Sequence, residues 1–521
     1  MSRIRIKFHG NMLWLLAAAV ISAMEIYAAS GRGIPVSPGI SPANTDGPIS
    51  FTVKRRIEDV PRGSVPVGII DGSADQRGSA ILVLGNLGLQ PDAELTVTLH
   101  ATRESSGHAA MSANSERRTQ DDQPKGDGTR AQAVALTSPL RQCRDPYRSN
   151  LHQKSDRVYF LPGSIRSPPS DREHSVIPCR LHTETPRVRI YVDQRMALNE
   201  PLTALVHAIV DAANSGLPEA VEKLVGPVGD VDHDGHLAIV LTPDVSRFGN
   251  GRTSVDGITL PADFLPGLDR PRGNNSDVIF LGTALDPGDH LRAVLAHEWC
   301  HAAVFSRRMQ ESAEGRPMIE DDWLNEAVAH VVEVQASGSQ TNLSHRLRGF
   351  MAHPAHSPLV VRDYCRADFW RHDGCRGAAY SFLTWCLEQG DDDLLERLLD
   401  SQSLGLDGLE VATGASFERL FQGWTRSLAC RLADQTRCRP TGPATQEVPP
   451  PDTVLTYRTW DLGSSSEQSI TVRIGGTSAE FIRVECARDT TWRLSATASE
   501  TDSLQTTLIP VHGRETTRDG E

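Results

Sequence analysis

The stretch Leu291–Ser306, "LRAVLAHEWCHAAVFS", holds two histidines four residues apart, with a glutamate directly after the first. Positions i and i+4 of an α-helix lie on one face, so His297 and His301 could share one metal ion. Apolar residues recur around them with helical spacing, which favours a helix. In an H-E-x-x-H motif the glutamate, here Glu298, can take the proton of a metal-activated water. The stretch therefore predicts two ligands and a base of a zinc site.

A hydrolytic zinc site needs a third protein ligand and an open position for water. Arg307 stands where the metzincin pattern has a third histidine, so that solution is rejected. The other common solution is a glutamate on a second helix. Glu326 in "DDWLNEAVAHVVE" (321–333) follows after room for a loop and is the predicted ligand. His330 lies one turn further on the same face and stays open as an alternative ligand.

"HEWCH" followed by "WLNEAVAH" resembles the glutamate-zincin (gluzincin) metallopeptidases, and the hyicolysin-like members in particular. The resemblance extends over roughly 188–430. It implies a thermolysin-like zincin catalytic domain that combines a mixed sheet and a helical lower lobe. The order of strands followed by helices itself indicates an α+β fold. The small all-β modules that flank this domain lie outside the resemblance. The resemblance also implies Zn²⁺ as the cofactor, held by His297, His301 and Glu326, with Glu298 as the catalytic base.

The sequence departs from the family pattern at two positions of the second helix. Ala327 replaces the usual glycine after the ligand glutamate. His330 stands where thermolysin-like members carry an aspartate that orients a ligand histidine. That contact must then come from another residue, for which Glu333 and Asn325 are the candidates.

Two further residues near the motifs have alternative interpretations. Hydrolysis of an amide needs a donor for the developing oxyanion. Tyr380 in "GAAYSF" is our catalytic candidate, with His356 and Tyr364 behind it; the alternative is a core tyrosine that packs its helix. Cys300 is a soft ligand type inside the motif, but the helix turns it away from the two histidines, which favours a buried thiol.

The segment "DVDHDG" (230–235) matches the start of a calcium loop, with aspartates at 230, 232 and 234. Leu241 stands where the bidentate glutamate of such a loop belongs, and a strand follows instead of a helix. An Asp/Gly-rich turn is the main interpretation, and a Ca²⁺ site is the alternative.

The N-terminus predicts export. Basic residues at positions 3, 5 and 7 precede the apolar run Met12–Met24, and "AAS" at 28–30 offers small residues for cleavage. This pattern favours a signal peptide over a membrane span, with an uncleaved anchor as the alternative. We expect a secreted, periplasmic or cell-surface protein without stable membrane insertion after cleavage.

Export permits disulfides among the nine cysteines. The short separations favour the pairs Cys365/Cys375 and Cys430/Cys438, while the full connectivity stays open. The net charge of −13 argues against a nucleic-acid partner, which would require a basic surface.

Composition and strand-like runs such as "SAILVLGNL", "AELTVTLH" and "QSITVRI" predict the organisation of the 521 residues. The segments are a signal peptide (1–30), a small β module (31–101), a partly disordered linker (102–156), a zinc metallopeptidase domain (157–439), a Pro-rich linker (440–452) and a C-terminal β module (453–521).

Two functional hypotheses follow. The favoured one is a secreted zinc endopeptidase that hydrolyses peptide bonds of a protein or peptide substrate with a metal-activated water. The other is a non-catalytic exported adhesion or scaffold protein that keeps a zincin fold. The presence of Glu298 favours the enzyme, because a scaffold has no need of the base.

Overall fold

The computed structural model describes residues 64–72, 77–104, 156–163, 174–248, 255–265, 267–310, 318–365, 367–369, 372–433, 455–501 and 503–511. All of them belong to the unit Val53–Glu521. The predicted signal peptide, the Pro-rich linker and most of the predicted linker 102–156 lie outside the described residues.

The strands form three sheets. In chain order they are β1 (Ser64–Gly72), β2 (Gly78–Asn86), β3 (Leu95–Arg103), β4 (Asp156–Pro162), β5 (His174–Glu184), β6 (Val188–Asp193), β7 (Leu237–Leu241), β8 (Gly257–Ile258), β9 (Val278–Leu281), β10 (Arg458–Leu462), β11 (Glu467–Ile474), β12 (Ala479–Cys486), β13 (Thr490–Ala498) and β14 (Leu504–Pro510).

The helices lie between β6 and β10. They are α1 (Glu200–Asn214), α2 (Leu217–Val225), α3 (Asp244–Arg247), α4 (Asp289–Gln310), α5 (Asp322–Ser337), α6 (Ser344–Ala352), α7 (Asp373–Gln389), α8 (Leu394–Asp400), α9 (Gly405–Thr413) and α10 (Phe417–Ala433), with short 3₁₀ turns at Pro261–Phe264 and Pro354–His356.

The central sheet is mixed, in the order β4-β5-β6-β7-β9-β8. Strands β6, β7 and β9 run parallel, and β8 pairs antiparallel with β9 at one edge. Every residue of β7, "LAIVL", is buried, as expected for a parallel strand covered on both faces. One face joins the helical core, and the other packs around Tyr159 and Phe280. The predicted α+β class and mixed sheet are confirmed.

The predicted helix around the H-E-x-x-H motif is also confirmed, as α4. It packs against α5 and contacts the edge strand β8 and its neighbour β9. Its C-terminal end is fixed by the buried Arg308, whose Nη2 lies 2.7 Å from Glu320 Oε2. Arg308 Nη1 also donates to the backbone oxygen of Ser401. These contacts make α4 a firm support for the side chains of the motif.

The two predicted β modules form one β-sandwich, so their separation in the sequence analysis was wrong. One sheet has the order β1-β13-β3-β11 and the other β10-β12-β2-β14. Among the described strands, β1, β2 and β3 pair only with strands that follow residue 455. A single core between the two sheets contains residues of both segments, including Leu82, Leu99, Ile482 and Trp492.

The sandwich is attached to the helical region through β2 and β12. Strand β2 is buried on both faces: Leu82 faces the sandwich core, whereas Ile81 and Val83 face the helical core. Helix α10 packs across β2 and β14. The backbone of Val360, in the segment after the second 3₁₀ turn, donates to Thr477 Oγ1 at 2.9 Å.

Two sequence-based expectations about cysteines and membranes can be compared with the structure. Cys365 and Cys375 are free thiols, so the disulfide suggested by their short separation is not formed. Cys375 Sγ instead lies 3.3 Å from His372 Nδ1. The other suggested pair includes Cys438, which lies outside the described residues. Within the described ranges, no helix combines the length and apolar character that a membrane span requires.

Candidate metal centre

Helix α4 carries His297, Glu298 and His301 on its buried side, where each is at most 6% exposed. The four-residue spacing brings the imidazole rings together, with centroids 4.7 Å apart. The two Nε2 atoms lie 3.1 Å from each other. The helix therefore directs both Nε2 atoms toward one point, as the motif predicts.

Helix α5 brings Glu326 to the same point. Glu326 Oε2 lies 3.4 Å from His297 Nε2. The ligand atoms of His297, His301 and Glu326 all lie within 4.8 Å of one another. The structure thus brings together the three residues that the sequence proposed as metal ligands. His330, the alternative ligand, has its Nδ1 turned to Glu333.

The outer nitrogens of both histidines have acceptors. His297 Nδ1 lies 3.1 Å from Glu333 Oε2, and His301 Nδ1 lies 3.3 Å from Asn325 Oδ1. Both orienting partners were candidates from the sequence, and both contacts are confirmed. When each Nδ1 carries the hydrogen, each Nε2 has a lone pair available for a metal.

Three possible ligand atoms converge beside these contacts: Nε2 of His297, Nε2 of His301 and Oε2 of Glu326. Glu326 Oε2 is buried and forms no hydrogen bond with any residue that the structure describes. Burial alone would lower the pKa of His297, but the nearby carboxylates of Glu326 and Glu333 outweigh burial and raise its pKa to about 9. Burial and the charge of His297 lower the pKa of His301 to about 4. Two imidazoles and a carboxylate with an unpartnered oxygen fit a Zn²⁺ ion, whose catalytic sites often have this ligand set.

Glu298 is held beside this point by a residue of the sheet edge. Thr259, directly after β8, donates from Oγ1 to Glu298 Oε2 at 2.8 Å. Gly257 on β8 leaves the necessary space, because a Cβ there would lie 2.7 Å from Glu298 Cγ. Burial raises the pKa of Glu298 to about 7, although the charge of His297 and the Thr259 hydrogen bond oppose this shift. A carboxylate with this pKa can both accept and return a proton near neutral pH.

The second oxygen of Glu326 faces a cation. Arg376 Nη2, from the first turns of α7, lies 3.3 Å from Glu326 Oε1. Burial would raise the pKa of Glu326, but Arg376 and His297 hold it well below its usual range. The Arg376 guanidinium also lies over the ring of Tyr364, 5.4 Å from its centroid. The hydroxyl of Tyr364 is buried, and no described residue forms a hydrogen bond with it.

Glu333 gathers three donors on one oxygen. Its Oε2 lies 3.1 Å from His297 Nδ1, 2.9 Å from His330 Nδ1 and 2.9 Å from Asn342 Nδ2. Burial opposes ionisation of Glu333, but His330 and His297 outweigh it and lower its pKa to about 2. Burial lowers the pKa of His330 to about 3, so this ring is neutral. His297, His330 and Glu333 are also close enough to hold a metal, but hydrogen bonds account for their contacts.

Tyr380, the predicted oxyanion donor, lies apart from these groups. It lines a cavity formed by residues of α6, α7 and α10 with Gln340, including Leu347, Trp385 and Trp424. Neither α4 nor α5 contributes a residue to this cavity. Cys300 is fully buried, and burial raises the pKa of its thiol, in agreement with a packed thiol.

The aspartates of "DVDHDG" are engaged with arginines. Arg157 contacts Asp232 and Asp234 at 2.6 and 2.5 Å, and Arg189 contacts Asp234 at 2.7 Å. Asp230 accepts the backbone N–H of Asp234, and the turn leads into β7. The three carboxylates are close enough for a cation. The arginines already supply positive charge there, which favours the turn interpretation.

Sequence reasoning missed Thr259, Arg376 and Asn342. Thr259 follows a strand of only two residues, and Asn342 lies in a turn between helices, so neither belongs to a motif. Arg376 lies on the same helix as Tyr380, but no motif marks it. Its contact with Glu326 depends on how α7 packs against α5, which the sequence does not show.

Comparison with known proteins gives limited similarity. No family model and no curated protein matches the sequence. Solved structures that match include an M1 zinc metallopeptidase from Deinococcus radiodurans and a point mutant of it. The mutant has 12% identity and a TM-score of 0.27, over 56% of this chain and 63% of its own. The other has 12% identity and a TM-score of 0.25, over 57% and 64%. The chain thus spans less than two thirds of either structure, and values this low do not establish membership of that family.

Proposed function

We propose that this protein is a secreted, zinc-dependent endopeptidase of the gluzincin type, with a thermolysin-like zincin domain as its catalytic part. The observation that carries the proposal is the convergence of His297 Nε2, His301 Nε2 and the unpartnered Glu326 Oε2 beside Glu298. The narrower relation to hyicolysin-like peptidases is proposed from the sequence pattern alone.

His297, His301 and Glu326 would hold the zinc. When bound, zinc would act as a Lewis acid that polarises a peptide carbonyl and acidifies a water molecule. Glu298 would accept the proton of that water and later pass it to the leaving amine. Its pKa of about 7 suits both steps, and Thr259 keeps its carboxylate beside the metal ligands.

For the oxyanion donor we favour Tyr364 over Tyr380. Tyr364 has an unpartnered buried hydroxyl, and its ring lies beneath Arg376, which contacts the ligand Glu326. Tyr380 instead lines the cavity between α6, α7 and α10. A hydroxyl without a partner can donate to charge that develops during the reaction.

The substrate would be a protein or peptide in extended conformation. Strand β8 is at the edge of the central sheet, and Gly257 on this strand borders Glu298. A peptide could pair with the edge of β8 that faces no other described strand and place its backbone beside the metal ligands. The scaffold hypothesis does not explain why Thr259 holds Glu298 beside the metal ligands, or why the pKa of Glu298 is raised to about 7.

The proposal is tested with Glu298→Gln and Glu326→Ala. The unaltered protein should bind one zinc by metal analysis and cleave casein and an internally quenched peptide. Glu298→Gln should keep the zinc and lose at least about 10²-fold in activity, since general base catalysis typically contributes 10²–10⁴-fold. Glu326→Ala should lose both zinc and activity.

Two results would contradict the proposal. A zinc-loaded unaltered protein without any peptidase activity would favour the scaffold hypothesis. Activity retained in Glu298→Gln would remove Glu298 from the role of base.

A further inference from the structure

His330 is a buried histidine with only one satisfied nitrogen. Its side chain has no exposed surface. Nδ1 contacts Glu333 Oε2 at 2.9 Å, whereas Nε2 has no hydrogen-bond partner among the described residues. A buried polar atom without a partner destabilises a fold, so such an atom calls for a functional reason.

Within the described part of the chain, the only hydrogen-bond partner of His330 is the oxygen that orients a metal ligand. Glu333 Oε2 also accepts from His297 Nδ1 at 3.1 Å and from Asn342 Nδ2 at 2.9 Å. The other oxygen, Oε1, is buried without a partner. The position of the Glu333 carboxylate is therefore fixed by the donors that meet at Oε2.

These donors come from three places in the chain. His297 belongs to α4, His330 to α5, and Asn342 to the turn after α5. Without His330, Glu333 would keep one neutral donor besides the metal ligand itself. Its carboxylate could then rotate and weaken the hold on His297 Nδ1, which directs Nε2 to the metal.

We propose that His330 is a positioning residue for the metal ligand His297, acting through Glu333. The role rests on the proposed zinc function. It also accounts for a histidine at the position where the family pattern has an aspartate: the orienting carboxylate is Glu333, one turn further along, and His330 holds it in place.

The test compares His330→Leu with His330→Asn. Leucine has a similar volume but no donor, whereas the amide nitrogen of asparagine can take the place of Nδ1. Zinc affinity is measured by competition with a chromophoric chelator, and the thermal midpoint of the metal-free protein is measured in parallel. His330→Leu should bind zinc about 10- to 100-fold more weakly, as expected for a lost orienting partner. His330→Asn should stay within a few-fold of the unaltered protein.

Zinc affinity and the thermal midpoint should rank His330→Leu and His330→Asn in opposite order. Asparagine leaves a cavity and a polar group in the core, so His330→Asn should have the lower thermal midpoint. A purely structural role would make zinc affinity follow the thermal midpoint, and that result would overturn the proposal. If His330→Leu does not fold, His330→Met removes the same donor with a more adaptable side chain.

Other outcomes are also decisive. Unchanged zinc affinity in the folded apolar variant would overturn the role of His330. Loss of zinc as complete as in Glu326→Ala would make His330 a ligand and also overturn it. If the unaltered protein binds no zinc, the proposed function itself fails. The zinc measurement on the unaltered protein distinguishes this outcome from a failure of the role of His330 alone.

Discussion

His297 lies between two carboxylates, and this arrangement couples metal binding to a proton. Its contacts with Glu326 and Glu333 outweigh burial and raise its pKa to about 9, so the metal-free protein holds a proton there at neutral pH. A zinc ligand must be deprotonated. Zinc therefore has to displace this proton from His297.

We predict that zinc affinity rises about tenfold per pH unit below pH 9, since one proton leaves for each zinc bound. The sign follows from the raised pKa: protonated His297 competes with zinc at low pH, and this competition disappears as the pH passes about 9. His301 contributes no proton above pH 5, because burial and the charge of His297 lower its pKa to about 4. Chelator competition between pH 6 and pH 8.5 measures the slope.

The control for this prediction is Glu333→Gln. It removes one of the carboxylates that raise the pKa of His297. The zinc affinity of this variant should therefore stop rising at a lower pH than that of the unaltered protein. Calorimetry in buffers of different ionisation enthalpy should count the released proton directly. An affinity of the unaltered protein that does not change over this range would contradict the prediction.

At the residue scale the sequence predicts the groups that lie on one helix or in one motif. His297, Glu298 and His301 follow from i+4 spacing, and Glu326 from the resemblance. The partners Thr259 and Arg376 could not be predicted, because their distance to the site depends on how β8 and α7 pack. Tyr380 was chosen from its helix alone, and packing turns it into a different cavity.

At the element scale, α6 and α7 approach so closely that glycine is required between them. A Cβ at Gly377 would lie 2.2 Å from the backbone oxygen of Arg346. One turn earlier, a Cβ at Gly374 would lie 2.2 Å from Ser357 Oγ. This contact fixes the first turns of α7, which carry Arg376 to Glu326.

We predict that Gly377→Ala destabilises the protein, although alanine is the better helix former by about 1 kcal/mol. Overpacking against a backbone atom costs roughly 1–3 kcal/mol or more and should outweigh the gain. The urea midpoint, measured by circular dichroism, should therefore fall.

Gly423→Ala is the matched control. It is also a helical glycine, but the nearest atom to its added Cβ belongs to the Trp385 ring, 2.5 Å away. A side chain can move where a backbone cannot, so Gly423→Ala should cost less than Gly377→Ala. A higher urea midpoint for Gly377→Ala would show that α6 can shift without loss.

Helix positions were well predicted because the hydrophobic periodicity of a helix depends only on its own residues and not on its packing partners. Helix α4 and the helix that carries Glu326 both follow from local spacing. Strand β8, with two residues, is too short to produce a pattern, yet it borders the proposed catalytic base.

At the scale of the whole molecule, strand pairing was the main feature that the sequence could not provide. The flanking segments each show alternating strands, which predicted two modules. Alternation identifies a strand but not its partner. The nearly continuous apolar run of β2 was a sign that this strand is covered on both faces.

We predict that a chain ending at residue 444 does not fold to a soluble protein. Strands β1, β2 and β3 would lose every partner they have, because all of their pairings are with β11–β14. Exposed strand edges and apolar faces favour aggregation. Soluble yield after centrifugation and size-exclusion chromatography measures the effect.

Co-expression of 445–521 as a separate chain is the control. It should restore solubility, with both pieces eluting together. A soluble, zinc-loaded and active protein from residues 1–444 alone would contradict this prediction. It would show that the β strands before residue 104 do not need the strands after residue 455 to fold.

The shared sandwich also has a consequence during translation. Asn86 Nδ2 donates to the backbone oxygen of Ile474, a contact between residues 388 positions apart. At about 5–20 residues per second, the ribosome needs roughly 20–80 s to make the intervening chain. Strands β1, β2 and β3 therefore stay without their partners for that time and need protection from other nascent chains. Translation of β10–β14 ends this interval, because these strands complete both sheets of the sandwich.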